Sequence, residues 1–156
     1  MTERPDPYAA SPALMKSWTA LALTVNASLE ARLVELVKIR ASQINQCANC
    51  INMHSADARQ QGEGEQRLYL LPAWREAPCY TDRERAALAW TEALTRLSQD
   101  HAGLDAVHAG LAAQFTPEEQ ANLTLLIIVI NGWNRLAVGF SMWMETPATR
   151  RLAAAA

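Results

Sequence analysis

Residues 116–138 read TPEEQANLTLLIIVINGWNRLAV, and the fold class turns on whether the apolar, β-branched run at their centre is a buried strand or part of a helix. Thr116 and Glu119 stand three apart around Pro117, the spacing at which a threonine side chain and a glutamate cap each other's backbone in a first helical turn. The stretch behind that cap runs for more than twenty residues, and length decides for helix where periodicity alone is ambiguous. A helix is therefore expected from 117 to about 143.

Other start signals agree. Thr81 and Glu84 repeat the capping box and open a helix over 82–98. Ser11 and Pro12 fit the cap and first turn before ALMKSWTALALTV, and Ser28 is read as the cap before LEARLVELVKIRASQI. In the latter, Leu29, Leu33, Leu36 and Val37 form one helical stripe. A further helix runs from about Cys47 to Gln61 and stops at Gly62, because glycine takes the left-handed C-terminal position without steric penalty. EQRLYLL makes a short helix before Pro72, and HAGLDAVHAGLAAQ another. No alternating segment with hairpin turns occurs. The expectation is an all-α single domain over 13–145, with a flexible arm over 1–12 and a tail over 146–156.

Half of the 156 residues are hydrophobic, 19% are charged and the formal net charge is −2. A chain of this length buries roughly 70% of its unfolded surface, enough for a core without disulfides. Nothing in the charge suggests a face for nucleic acid or an anionic membrane, which leaves a small molecule or a protein as partner. MTERPDPYAASP has no basic stretch followed by an apolar one, so a cytoplasmic setting is expected. There, three cysteines are too few for a disulfide scaffold, and a CxxC pair points to catalysis or metal. The apolar run LTLLIIVI at 123–130 falls short of the roughly 20 residues that span a bilayer.

The chemistry sits in CANCINMHSADAR, residues 47–59. Positions i, i+3 and i+7 share a helix face, so Cys47, Cys50 and His54 project together, beside Ile51 and Ala58. Two cysteines one turn apart are close enough to close a disulfide with little backbone movement. The helix N-terminus favours thiolate over thiol, and His54, one turn beyond Cys50, is placed to take its proton. On this reading Cys50 attacks first and Cys47 resolves the sulfenic acid. Three alternatives stand beside it: a zinc ion held by Cys47, Cys50 and His54 with Cys79, His101 or His108 as fourth ligand; two buried thiols that only pack; and a redox-sensing dithiol without turnover.

ELVKIRASQINQCANCINMHSADARQQGEGEQRLYLLPAWREAP at 35–78, followed by ERAALAWTEALTRLS and LTLLIIVINGWNRLAV, resembles the alkylhydroperoxidase D-like branch of the carboxymuconolactone decarboxylase family, over roughly residues 14–143. The resemblance implies an all-helical fold assembled as trimers or hexamers, a peroxide-reducing dithiol with no further cofactor, and a relay of Glu35, Cys47, Cys50 and His54, with Cys50 peroxidatic and Cys47 resolving. It also implies a hydroperoxide substrate and a dithiol reductant, whether a lipoyl protein, a thioredoxin-like protein or a small thiol. Related decarboxylases that open a muconolactone generally lack the CxxC pair, so lactone turnover ranks as a further alternative. Spacing alone assigns Glu35 differently: it falls off the apolar stripe beside Lys38 and reads as a solvated carboxylate paired at i+3. The chain departs from the family's frequent aromatic residue before the second cysteine, where it carries Asn49, and Cys79 reads as a lone buried thiol. The crowd of Trp133, Leu136, Val138, Phe140, Met142 and Trp143 suggests a subunit interface.

Overall fold

A computed structural model describes residues 4–99 and 101–154. Among them the helices are α1 (Pro7–Ala10), α2 (Pro12–Asn26), α3 (Ala31–Ile44), α4 (Ala48–Gln60), α5 (Glu65–Leu70), α6 (Asp82–Thr95), α7 (Leu104–Ala112), α8 (Pro117–Gly139) and α9 (Pro147–Ala154), with a 3₁₀ turn at Leu71–Ala73. No strand occurs among the described residues. The all-α expectation holds.

Both capping boxes form as expected: Thr81 with Glu84 opens α6, and Thr116 with Glu119 opens α8. The second long helix does not start where serine suggested. Ser28 Oγ donates back to the Val25 carbonyl at 2.7 Å, finishing α2, and α3 starts two residues later with Glu30 at the cap position. Part of the expected N-terminal arm, Pro7–Ala10, is a single helical turn capped by Asp6.

α3 is the hub, packed against α4, α6 and α8. Residues Leu33 through Ser42 are buried without a break, so the helix has no solvent face over that stretch. Leu33, Val34 and Val37 enter one apolar cluster with Leu123, Leu126 and Ile127 of α8, while Leu36 and Ile39 enter another with Leu71, Trp74 and Leu88. Burying each such side chain contributes about 1.5–3 kcal/mol. α8 has the length and apolar character of a membrane span, yet here one face fills the core while Leu125 and Ile128 remain exposed. Gly132 of α8 lies under the Trp18 indole, and any Cβ there would collide with the ring.

The polar groups buried with α3 are paired. Arg40 donates to Glu92 at 2.7 Å, and Trp74 Nε1 donates to the same carboxylate at 2.9 Å. Arg75 and Arg96 pair with it too, tying the segment just after the 3₁₀ turn to α6.

Candidate active site

The corner between α3 and α4 places the first cysteine. Gln46 sits at φ +54°, the left-handed conformation that ends a helix, and Cys47 N–H returns to the Ser42 carbonyl at 2.9 Å. Cys47 thereby finishes one helix and caps the next: its Sγ accepts the Cys50 N–H at 3.4 Å. The positive end of α4 therefore acts on Cys47 most directly, not on Cys50 as the spacing suggested.

Cys47 and Cys50 are 1% and 4% exposed and pack with Ala137 of α8. Burial and the neighbouring Cys47 sulfur push the Cys50 thiol up to about 12, against the lowering effect of Asn134 and Ser42. These two polar residues were not marked by the sequence. Asn134 Nδ2 donates to Ser42 Oγ at 2.9 Å, and Asn45 Nδ2 donates to Asn134 Oδ1 at 2.8 Å. They form a buried amide ladder from the α3 corner to α8 that ends beside the thiol.

Glu35 is 5% exposed, which overturns its reading as a solvated carboxylate, although its expected pairing with Lys38 is present at 3.0 Å. Its other oxygen lies 2.9 Å from His54 Nδ1. Burial raises the Glu35 pKa, but the hydrogen bonds and charges of His54 and Lys38 outweigh it, so the group stays below its ordinary value. An ionised carboxylate only accepts, so Nδ1 carries the hydrogen and Nε2 of a neutral His54 keeps its lone pair. Asp57 Oδ2 lies 3.9 Å from the same Nδ1. Burial and the Glu35 charge raise the Asp57 pKa.

Cys50 and His54 share the wall of a cavity of about 200 Å³, with Trp133, Trp143, Met53 and Met144 among its apolar lining. Cys47 and Glu35 do not line it. Trp133, Met142 and Trp143, expected at a subunit interface, are cavity residues here.

The proposed zinc set does not converge. Among the described residues, the set of three or more metal-capable side chains whose ligand atoms all lie within 4.8 Å of one another is Glu35, His54 and Asp57, and neither Cys47 nor Cys50 belongs to it. Of the fourth ligands considered, His108 packs on Trp90, His101 Nδ1 faces the Leu97 carbonyl, and Cys79 adjoins the cluster around Tyr80. Lys38 already supplies Glu35 with a cation.

The model of the carboxymuconolactone decarboxylase family matches residues 12–93, which hold Glu35, Cys47, Cys50 and His54. The chain belongs to the carboxymuconolactone decarboxylase family. It is 37% identical over 139 residues to the uncharacterised protein YdfG of Bacillus subtilis, covering 88% of this chain and 94% of that one. A crystal structure from Agrobacterium tumefaciens, of a protein of unknown function suggested to be the antioxidant defence protein AhpD, superposes with a TM-score of 0.87 at 41% identity over 93% of this chain and 99% of the other. An uncharacterised peroxidase-related protein from Silicibacter sp. shares the fold, with a TM-score of 0.76 at 23% identity over 90% and 74%. The family assignment and the alkylhydroperoxidase D-like helical fold expected from the resemblance over roughly residues 14–143 both stand.

Proposed function

We propose that this chain is a thiol-dependent reductase of organic hydroperoxides. The observation that carries the reading is that Cys50, not Cys47, opens on the apolar cavity beside His54. Cys50 sulfur attacks the distal peroxide oxygen, the O–O bond breaks, and the alcohol leaves with the proton that His54 Nε2 took from the thiol. Cys50 is then a sulfenic acid. Cys47 sulfur displaces its hydroxyl as water, closing the disulfide, and an external dithiol restores both thiols while becoming oxidised itself.

Burial and the Cys47 sulfur raise the Cys50 thiol well above the ordinary range, so at neutral pH it is held as the thiol. Pre-formed thiolate is thus a poor route, and a base acting within the attack, worth on the order of 10²–10⁴ in rate, is the better one. Glu35 holds His54 in the tautomer that leaves Nε2 free and stabilises the imidazolium formed in transit. The Cys50 N–H donated to Cys47 Sγ holds that sulfur one turn from Cys50, where a resolving thiol has to stand.

Same-chain partners in a trimer or hexamer are part of this reading, supported by Leu125 and Ile128 of α8, which are 42% and 54% exposed. The reductant is a dithiol slim enough to reach a buried disulfide through the cavity.

The test is reaction of the reduced protein with one equivalent of an organic hydroperoxide. Loss of two hydrogens from the chain with one equivalent of alcohol supports the reading. A Cys50→Ser variant that still consumes peroxide at the original rate refutes the role given to Cys50.

A further inference from the structure

The segment after α8 lies across the active-site helix and is fastened to it by two side chains. Met144 N–H donates to Asn49 Oδ1 at 2.6 Å, and Asn52 Nδ2 donates to the Met144 carbonyl at 2.9 Å. One amino-acid step of that segment is thus held at both its donor and its acceptor, as a strand partner would hold it. Thr146 Oγ1 donates to Asn52 Oδ1 at 3.1 Å, extending the clamp by another residue. Asn49 and Asn52 stand three apart on α4, so both amides face the same way.

The origin of the segment is fixed as well. Ser141 at φ +52° ends α8, and Met142 N–H returns to the Ala137 carbonyl at 2.9 Å. From that stop to the clamped residue run Met142, Trp143 and Met144, all of which line the Cys50 cavity. Trp143 and Met144 are each 56% exposed. Two large apolar side chains half in water, with the Met144 backbone held by paired amides, form an outer wall whose inner face is available to an apolar guest.

From this geometry we infer that Asn49 and Asn52 are specificity-determining positioning residues: by pinning Met144 they hold Trp143 and Met144 as the outer wall of the cavity, which selects hydroperoxides with an aromatic or branched alkyl body over hydrogen peroxide. The inference rests on the reading that Cys50 reduces a hydroperoxide. An apolar body gains by leaving water for this wall, whereas hydrogen peroxide has no such body and reacts without it. Asn49 thereby has a role that its position between the two cysteines does not reveal: it is an anchor for the wall.

Asn52 does not line the cavity, so its replacement loosens the wall without changing the lining. Reduced full-length protein, Asn52→Ala and Asn52→Asp are mixed with cumene hydroperoxide or hydrogen peroxide over a concentration series, and disulfide formation is followed by intact mass. Hydrogen exchange of the peptide spanning Met142–Met144 reports the segment itself. Both variants remove the donor to the Met144 carbonyl, and the aspartate also keeps an acceptor for Thr146. The expected result is faster exchange together with about a tenfold loss of preference for cumene hydroperoxide, carried by KM rather than by the maximal rate. Faster exchange with an unchanged preference overturns the inference, as does exchange that the variants leave unaltered. If reduced wild-type thiols survive both peroxides, the peroxidase reading falls and this inference falls with it.

Discussion

Glu35 Oε2 lies 2.9 Å from His54 Nδ1, while Lys38 Nζ lies 3.0 Å from the other carboxylate oxygen. One buried carboxylate thus serves both the Lys38 ammonium and the His54 imidazole. Replacing it separates the two roles. Glu35→Gln leaves Lys38, whose side chain is 8% exposed, without its counter-charge, and should destabilise the fold by about 3 kcal/mol. Glu35→Gln with Lys38→Met should recover most of that loss but keep a rate deficit on the order of 10² in peroxide reduction. Denaturant unfolding and single-turnover kinetics on both variants check this. Activity that returns together with stability would reduce Glu35 to a scaffold residue.

Acid should expose the same pair. The folded Glu35 pKa lies below its ordinary 4.5, so this group adds stability that is present above about pH 4.5 and is lost as pH falls through the folded value. The Glu35→Gln variant should therefore show a shallower decline of unfolding free energy on the acid side than the parent protein. Urea titrations at a series of pH values below 5 would show equal slopes if the carboxylate were not ionised in the fold.

The thiol titrates in the opposite sense. Cys50 is raised from 9.0 to about 12 by burial and by Cys47, so it adds stability below about pH 9 that fades as pH climbs toward 12. Alkylation of Cys50 by iodoacetamide, read by peptide mass, should stay slow at pH 8 and rise steeply only above pH 10. Cys47→Ser removes one of the causes that raise the value, and should shift that profile to lower pH. A wild-type midpoint near 8.5 would contradict the buried setting described for the thiol.

At the α3–α4 corner, Gln46 holds φ +54° without being glycine. A left-handed conformation costs an ordinary residue about 1–2 kcal/mol, partly offset by the greater entropy that glycine loses on folding. Gln46→Gly should raise stability by about 0.5 kcal/mol and leave the Cys47 cap in place. Lower thermal stability would mean that the Gln46 side chain contributes more than its backbone costs.

Signals within a few residues were readable from the sequence, and those that depend on two distant helices were not. The capping boxes at Thr81 and Thr116 formed because each cap satisfies its own first turn. Gly62, at φ +84°, ended α4 for an equally local reason. Glu35 was misjudged from spacing because a helical wheel assumes one apolar face, whereas α3 is covered on every side from Leu33 to Ser42. The family resemblance singled Glu35 out, but its contact with His54 required the packing of α3 on α4. Ser42 and Asn134 meet only when α3 and α8 pack, 92 positions apart. In the sequence Asn134 is one of several polar residues of α8, beside Asn131 and Arg135, and only the structure, where it is 1% exposed, sets it apart.

The most direct test of the account is to place the oxidised sulfur. Cys47→Ser protein, fully reduced, is treated with one equivalent of cumene hydroperoxide in the presence of dimedone, and the adduct is located by peptide mass. The account predicts one equivalent of sulfenic acid on Cys50, the thiol that lines the cavity, formed on the order of 10²-fold more slowly when His54→Gln is added. An adduct on Cys79, or an unmodified Cys50 after the peroxide is consumed, would contradict it.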